Sequence, residues 1–142
     1  TRAVRAAIPK SMPLFVRISA TDWLDGGWTI DDSIELAKLL KENGVDLVDV
    51  SSGGTSSGAP VPVGPGYQVP LAESIKKESG ILTSAVGLIT DPLQAEAIVA
   101  EGKADAVMIG REMLRNPRWA LHAAQVLGAE TRWPLQLVRG KN

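Results

Sequence analysis

Three places in the chain set chemistry-bearing residues beside sharp turns. Ala85-Val86-Gly87 and Met108-Ile109-Gly110-Arg111 each end a β-rich run in glycine. A phosphate group requires converging backbone N–H donors and room for close approach. Glycine supplies that room, because it has no Cβ and tolerates positive φ. Arg111 adds a permanent charge with several donors for phosphate oxygens. The same glycines serve equally well to turn a strand into a helix, so alone they leave both readings open. Arg17 is a sharper signal. It interrupts the apolar run Phe15-Val16-Arg17-Ile18-Ser19, and desolvating a guanidinium without a partner is costly. Phe15, Arg17 and Ser19 share one strand face. Facing inward, Arg17 would meet an anionic or oxygen-rich ligand; on an edge strand it would point into solvent.

The elements that must position these residues alternate. Four short β-rich runs are expected over residues 14–20, 46–50, 81–86 and 105–109. Helical stretches follow them over 30–43, 71–79, 91–101 and from 111 to just before Pro117, with a last amphipathic helix over 117–127. Thr29 with Asp32 has capping-box spacing. Asp91 before Pro92 makes a good helix start. Gly44, Gly80 and Gly102 stand where helices end. The stretch 51–70 is rich in Gly, Ser and Pro and exceeds ordinary loop lengths, as functional or covering loops do. The tail from Thr131 is basic and reads as irregular. Serial βα units imply a parallel sheet. Periodicity leaves two architectures open: a small doubly wound sheet, or half of a (β/α)8 barrel, whose complete form takes roughly 250 residues.

Composition narrows the chemistry. The chain has 142 residues, with 44% hydrophobic and 22% charged, which fits an ordinary globular core. Fifteen basic residues meet sixteen acidic ones, so a general basic surface for nucleic acid is not expected. With no cysteine and only one histidine, His122, thiol chemistry, a His-rich metal site and a self-contained Ser-His-Asp triad are all set aside. His122 reads as a surface or structural residue. No apolar run approaches the roughly 20 residues of a membrane span, and no signal-peptide pattern opens the chain; a cytoplasmic location is expected. The chain begins at Thr1 without an initiator Met, which points to sequence removed upstream.

Longer motifs carry a family resemblance. FVRISATDW, GVDLVDVSSGG, PGYQVP, AVGLIT, DAVMIGREMLRNP and a terminal Gln-x-x-Arg-Gly occur in order from about Ile8 to Gly140. Together they resemble the FMN-dependent Old Yellow Enzyme family, most closely its bacterial ene-reductase branch of the YqjM and xenobiotic-reductase type. The resemblance implies an α/β fold, a (β/α)8 TIM barrel, of which residues 1–142 are the C-terminal half, strands 5 to 8, with a C-terminal helix and a tail over 129–142. Thr1 to Pro9 would close the helix before strand 5. It implies FMN as cofactor and NAD(P)H as hydride donor, with reduction of activated C=C bonds in α,β-unsaturated carbonyl compounds. By resemblance, Arg17 contacts the pyrimidine edge of the flavin, where a fixed guanidinium stabilises negative charge near N1 and O2. Val86, Gly87, Gly110 and Arg111 match the positions that hold the FMN phosphate. Arg139 matches a tail arginine that reaches the edge of a neighbouring subunit's active site, although Leu137 stands where an aromatic is usual and Gly140-Lys141-Asn142 replaces a Gly-Trp ending; a disordered basic tail is the other reading. The family's substrate-anchoring pair and its tyrosine proton donor belong to the N-terminal half, so no catalytic residue is expected here. Tyr67 matches a loop motif and reads as a packing residue. Asp22, Asp25, Asp46 and Asp49 read as turn and strand-end residues.

A half-barrel has open sheet edges. Its inner face, with Phe15, Val48 and Val107 or their neighbours, would also be exposed and mark an interaction surface. Pairing with a complementary N-terminal half, or with another copy of the chain, is therefore expected, with a small-molecule enone as substrate and neither nucleic acid nor membrane as partner. Two further functions compete: a non-catalytic FMN- or phosphate-binding half-barrel module, and a fragment of a non-flavin, phosphate-binding lyase or isomerase.

Overall fold

Alternation decides the sheet. In strand β1 (Phe15–Ser19), Val16 and Ile18 pack toward the core while Phe15 and Arg17 are exposed. Strands β2 (Leu47–Ser51), β3 (Leu82–Val86) and β4 (Ala106–Met108) continue the pattern in parallel, in the spatial order β1-β2-β3-β4. Pairing places Arg17 beside Asp49, Asp49 beside Ser84, and Ser84 beside Ala106. The other face runs Ile18, Val50, Ala85, Val107. A doubly wound sheet reverses its strand order at a switch point; this sheet never does. It is one continuous arc of a parallel barrel. The structure is a computed structural model and describes residues 1–141.

Helices α1 (Arg2–Ala7), α2 (Ile30–Glu42), α3 (Val69–Ser79), α4 (Pro92–Ala100), α5 (Arg111–Arg115) and α6 (Trp119–Val126) complete the chain, with a 3₁₀ turn at Leu135–Gly140. α2 and α3 pack on one another, as do α4 and α6. The core they form with the sheet joins Ala37, Leu40, Ala72, Ile75 and Ile98 to Val48, Val50 and Ala85. Local chemistry sets the helix starts. Thr29 Oγ1 accepts the Asp32 amide and Asp32 Oδ2 accepts the Thr29 amide at 2.9 Å, a complete capping box. Asp91 Oδ1 accepts the Gln94 amide at 2.9 Å. α3 starts two residues earlier than the sequence predicts, because Pro70 fits the first helical turn. In the tail, Pro134 leads into the 3₁₀ turn, where an irregular chain is expected from sequence.

One expectation about the open face needs correction. Val48 and Val107 lie on the helix side, with Val48 fully buried. Phe15 aligns with Leu47, so the face that carries Arg17 continues through Asp49 rather than Val48. The exposed apolar groups on that face are Phe15 and Leu82, at 53% and 52% exposure. In a closed barrel this face is the packed interior.

The long segment between β2 and α3 crosses the C-terminal ends of the strands. It is tied to β1 by Ser19 Oγ donating to the Gly53 carbonyl and the Gly53 amide donating to the Thr21 carbonyl, each at 2.8 Å. At its far end the Gly66 amide donates to the Gly87 carbonyl at 2.7 Å. Asp22 latches the near end: it accepts from the Thr55 hydroxyl and, at 2.9 Å, from the Trp28 amide. These bonds, the Thr55 one foremost, hold the Asp22 carboxyl below its ordinary value of 3.8. A depressed carboxylate stabilises the fold above its ordinary pKa and loses that contribution as pH falls through the lower, folded value. Asp22→Asn should therefore free this end of the segment at neutral pH, where the wild type keeps it closed. Limited proteolysis between residues 54 and 64 is expected to run several-fold faster in the variant; equal cleavage rates would remove the latch.

Candidate cofactor site

A cavity of about 250 Å³ opens at the C-terminal ends of the strands, the end where barrel enzymes carry their sites. Its lining brings together Arg17, Val86, Gly87, Gly110 and Arg111, five of the six site residues expected from sequence, Arg139 being the sixth. Tyr67, Gln68 and Arg115 line it as well.

Arg17 reaches this wall from β1 and is held from below. Its Nη1 donates to Asp49 Oδ2 at 2.8 Å and its Nη2 to Ser51 Oγ at 3.2 Å. Asp49 is buried, and its other oxygen accepts from Ser84 Oγ at 2.9 Å. The strand-end role expected for Asp49 is therefore wrong: it sits inside β2, paired with the one charge on the neighbouring strand. Asp46 keeps the turn role, accepting the Leu14 amide at 2.7 Å.

The β3–α4 connection forms the second wall. Gly87 has φ +128° and Leu88 φ +51°, so a non-glycine residue sits in the left-handed region at the cavity, a form of strain common at binding sites. Gln68 braces this turn. Its Nε2 donates to the Val86 carbonyl at 2.8 Å, and its Oε1 accepts from Ser52 Oγ at 2.7 Å. From the other side, Trp119 Nε1 donates to the Thr90 carbonyl at 2.7 Å, pinning α6 to the same connection. Tyr67 does pack, as expected, against Gly87, and it also faces the cavity.

The third wall is the start of α5. A Cβ built on Gly110 would meet nothing within 4 Å, so the backbone there is open to an approaching group. Arg111 forms no ion pair among the described residues, whereas Arg115 is paired with Glu112 at 2.7 Å. Three guanidiniums thus face the cavity against one carboxylate. That donor set fits a phosphorylated flavin, with an anionic phosphate at one end and a ring edge that gains negative charge on reduction at the other.

Asp49, Gln68 and Arg115 are the site residues that sequence reasoning misses. A guanidinium within a strand needs a counter-charge, and that need was the available signal for Asp49. Gln68 stands in the quoted PGYQ motif, next to Tyr67. Arg139 is exposed in the 3₁₀ turn and does not line the cavity. His122 is exposed on α6.

The fold and cavity define a partial parallel β/α barrel with an arginine-lined cavity at its strand ends. The sequence pattern described as the NADH:flavin oxidoreductase / NADH oxidase family matches residues 1–130, and the chain belongs to this FMN-dependent family. Among curated relatives, an NADPH dehydrogenase of Geobacillus thermodenitrificans is 54% identical over 128 residues, which cover 90% of this chain and 37% of the relative. An NADPH dehydrogenase of Halalkalibacterium halodurans is 52% identical over 127 residues, covering 89% of this chain and 37% of the relative. The chain therefore spans 37% of the length of the relatives it matches. Among solved structures, a 2-naphthoyl-CoA reductase complex aligns with TM-score 0.75 and 27% identity over 90% of this chain and 20% of that one. A histamine dehydrogenase from Rhizobium aligns with TM-score 0.70 and 21% identity over 88% of this chain and 18% of that one, a likeness of fold. No helix among the described residues is long and apolar enough to cross a membrane.

Proposed function

We propose that this chain is the FMN-binding half of an NADPH-dependent ene-reductase, active when an N-terminal half completes the barrel. The convergence of Arg17, Gly87, Gly110 and Arg111 on one cavity carries this reading. Bound FMN would accept a hydride from NAD(P)H and deliver one to the activated C=C bond of an α,β-unsaturated carbonyl compound. The chain's own residues bind and orient. Arg17, braced by Asp49, offers positive charge to the pyrimidine edge. The backbone at Val86, Gly87 and Gly110 approaches the phosphate closely, and the Arg111 guanidinium offsets its charge. No residue of this chain is assigned the substrate proton. Arg139 is assigned the edge of a neighbouring subunit's substrate site. We place the complex in the cytoplasm.

The partner follows from the open face. Phe15 and Leu82 expose apolar surface there, and β1 and β4 leave unpaired edges. An N-terminal half-barrel, or a second copy of this chain, covers both. The alternative is a flavin- or phosphate-binding module without turnover, for which the cationic and backbone groups lining the cavity would suffice. Co-expression with the N-terminal part of the Geobacillus relative separates the two. A yellow complex that oxidises NADPH with cyclohexenone supports the ene-reductase. A yellow complex without turnover supports the flavin-binding module, and a colourless one removes both flavin readings and leaves phosphate binding alone. By light scattering, the chain alone is expected to self-associate; a stable 15.0 kDa monomer would overturn the requirement for a partner.

A further inference from the structure

We infer that Asp49 is the positioning residue that sets the electron affinity of the flavin, by holding the Arg17 guanidinium against the cavity. The inference rests on the FMN reading above. Arg17 has a side chain 57% exposed, on a face with room to swing. A long cation in that position spreads over many rotamers unless something fixes it. The anchor is unusually firm. Asp49 is 8% exposed and Ser84 is fully buried, so their hydrogen bond is shielded from water. One Asp49 oxygen is fixed by Ser84 at 2.9 Å; the other takes Arg17 Nη1 at 2.8 Å. Ser51 Oγ takes Arg17 Nη2 at 3.2 Å. Of the guanidinium's five donors, these contacts use two and leave Nε–H and the remaining N–H groups for the cavity, where Arg17 is part of the lining.

The placement has a consequence for redox chemistry. A fixed cation near the ring stabilises the reduced, more negative flavin over the oxidised one. A carboxylate directly against the cofactor would do the opposite. Here the carboxylate lies behind the guanidinium, in the neighbouring strand, and Asp49 is not itself part of the cavity lining. Its own field opposes reduction from behind the guanidinium, so the part of its effect that favours reduction is exerted through Arg17. Removing the charge of Asp49 releases Arg17 toward solvent, and the flavin becomes harder to reduce.

The test is a double-mutant cycle on the complemented barrel, read by the midpoint potential of bound flavin and by riboflavin affinity. Arg17→Ala and Asp49→Asn are each expected to lower the potential, and each to weaken riboflavin about tenfold, the loss of one charge-assisted hydrogen bond. Adding Asp49→Asn to Arg17→Ala should then lower neither further. Ser84→Ala, which frees one Asp49 oxygen and keeps the ion pair, should give a smaller shift of the same sign, and it serves if Asp49→Asn fails to fold. The inference is overturned if both Asp49→Asn and Ser84→Ala bind flavin at the wild-type potential, or if the Asp49 effect persists in full without Arg17. A wild-type barrel that binds no flavin removes the FMN reading, and this inference with it.

Discussion

Replacing Arg111 with alanine is expected to weaken FMN binding by about tenfold to a hundredfold while leaving riboflavin within about twofold. The range follows from a charge-assisted hydrogen bond to an anion, about 1.5–3 kcal/mol. Arg111 is free to make that contact because it is in no ion pair among the described residues, unlike Arg115, whose guanidinium is drawn to Glu112. It stands at the start of α5, beside the open backbone of Gly110. Riboflavin has the same ring system and lacks the phosphate, so a loss confined to FMN locates the contact at the phosphate end. Fluorescence titration of both ligands against the complemented barrel measures it. Raising salt should shrink the FMN difference, because the site is open to solvent and screened. Equal losses for the two ligands would move Arg111 to the ring, and no loss for either would take it out of the site. The contrast with Arg17 is what makes the pair informative: Arg17→Ala should weaken both ligands together.

How far the site was legible depends on how local its causes are. The capping box at Thr29 and the helix start at Asp91 involve residues three apart, so spacing alone reveals them. Arg17 announces itself because a strand cannot hide a guanidinium at no cost. Its partner does not. Asp46 and Asp49 stand three apart in a region of alternating pattern, which puts them on opposite faces, and only the register between β1 and β2 says which face meets Arg17. The same ambiguity assigns Val48 and Val107 to the wrong side. Register depends on non-local pairing, which the period of a single strand does not encode. Gln68 was harder still. Its partners, Ser52 and the Val86 carbonyl, meet only because the long β2–α3 segment folds back across the sheet. No periodicity records that path. The glycines at 87 and 110 were visible as turns, but their convergence on one cavity requires the strand order.

Gly87→Ala should be among the most damaging single-methyl additions in the chain, costing about 3 kcal/mol in the complemented barrel and abolishing tight FMN binding. Two effects combine. Gly87 has φ +128°, a conformation in which any L side chain is strained. Its new Cβ would also lie 3.0 Å from Gln68 Nε2 and 3.0 Å from Tyr67 Cε1. The first of these neighbours does not yield easily. Gln68 is 2% exposed and bonded at both ends of its amide, and moving it breaks the brace on the Val86 carbonyl. Displacing the backbone instead breaks the 2.7 Å bond from the Gly66 amide to the Gly87 carbonyl and shifts the cavity wall. Gly102→Ala is the control. Gly102 also has positive φ, at +74°, but a Cβ there meets nothing within 4 Å. It should cost only the dihedral strain, about 1 kcal/mol, and leave FMN affinity unchanged. Urea unfolding of the two variants, followed by FMN titration, separates strain from crowding. Equal losses in the two would mean that the wall around Gly87 relaxes freely, and the cavity would then owe its shape to something other than the Tyr67–Gln68 brace.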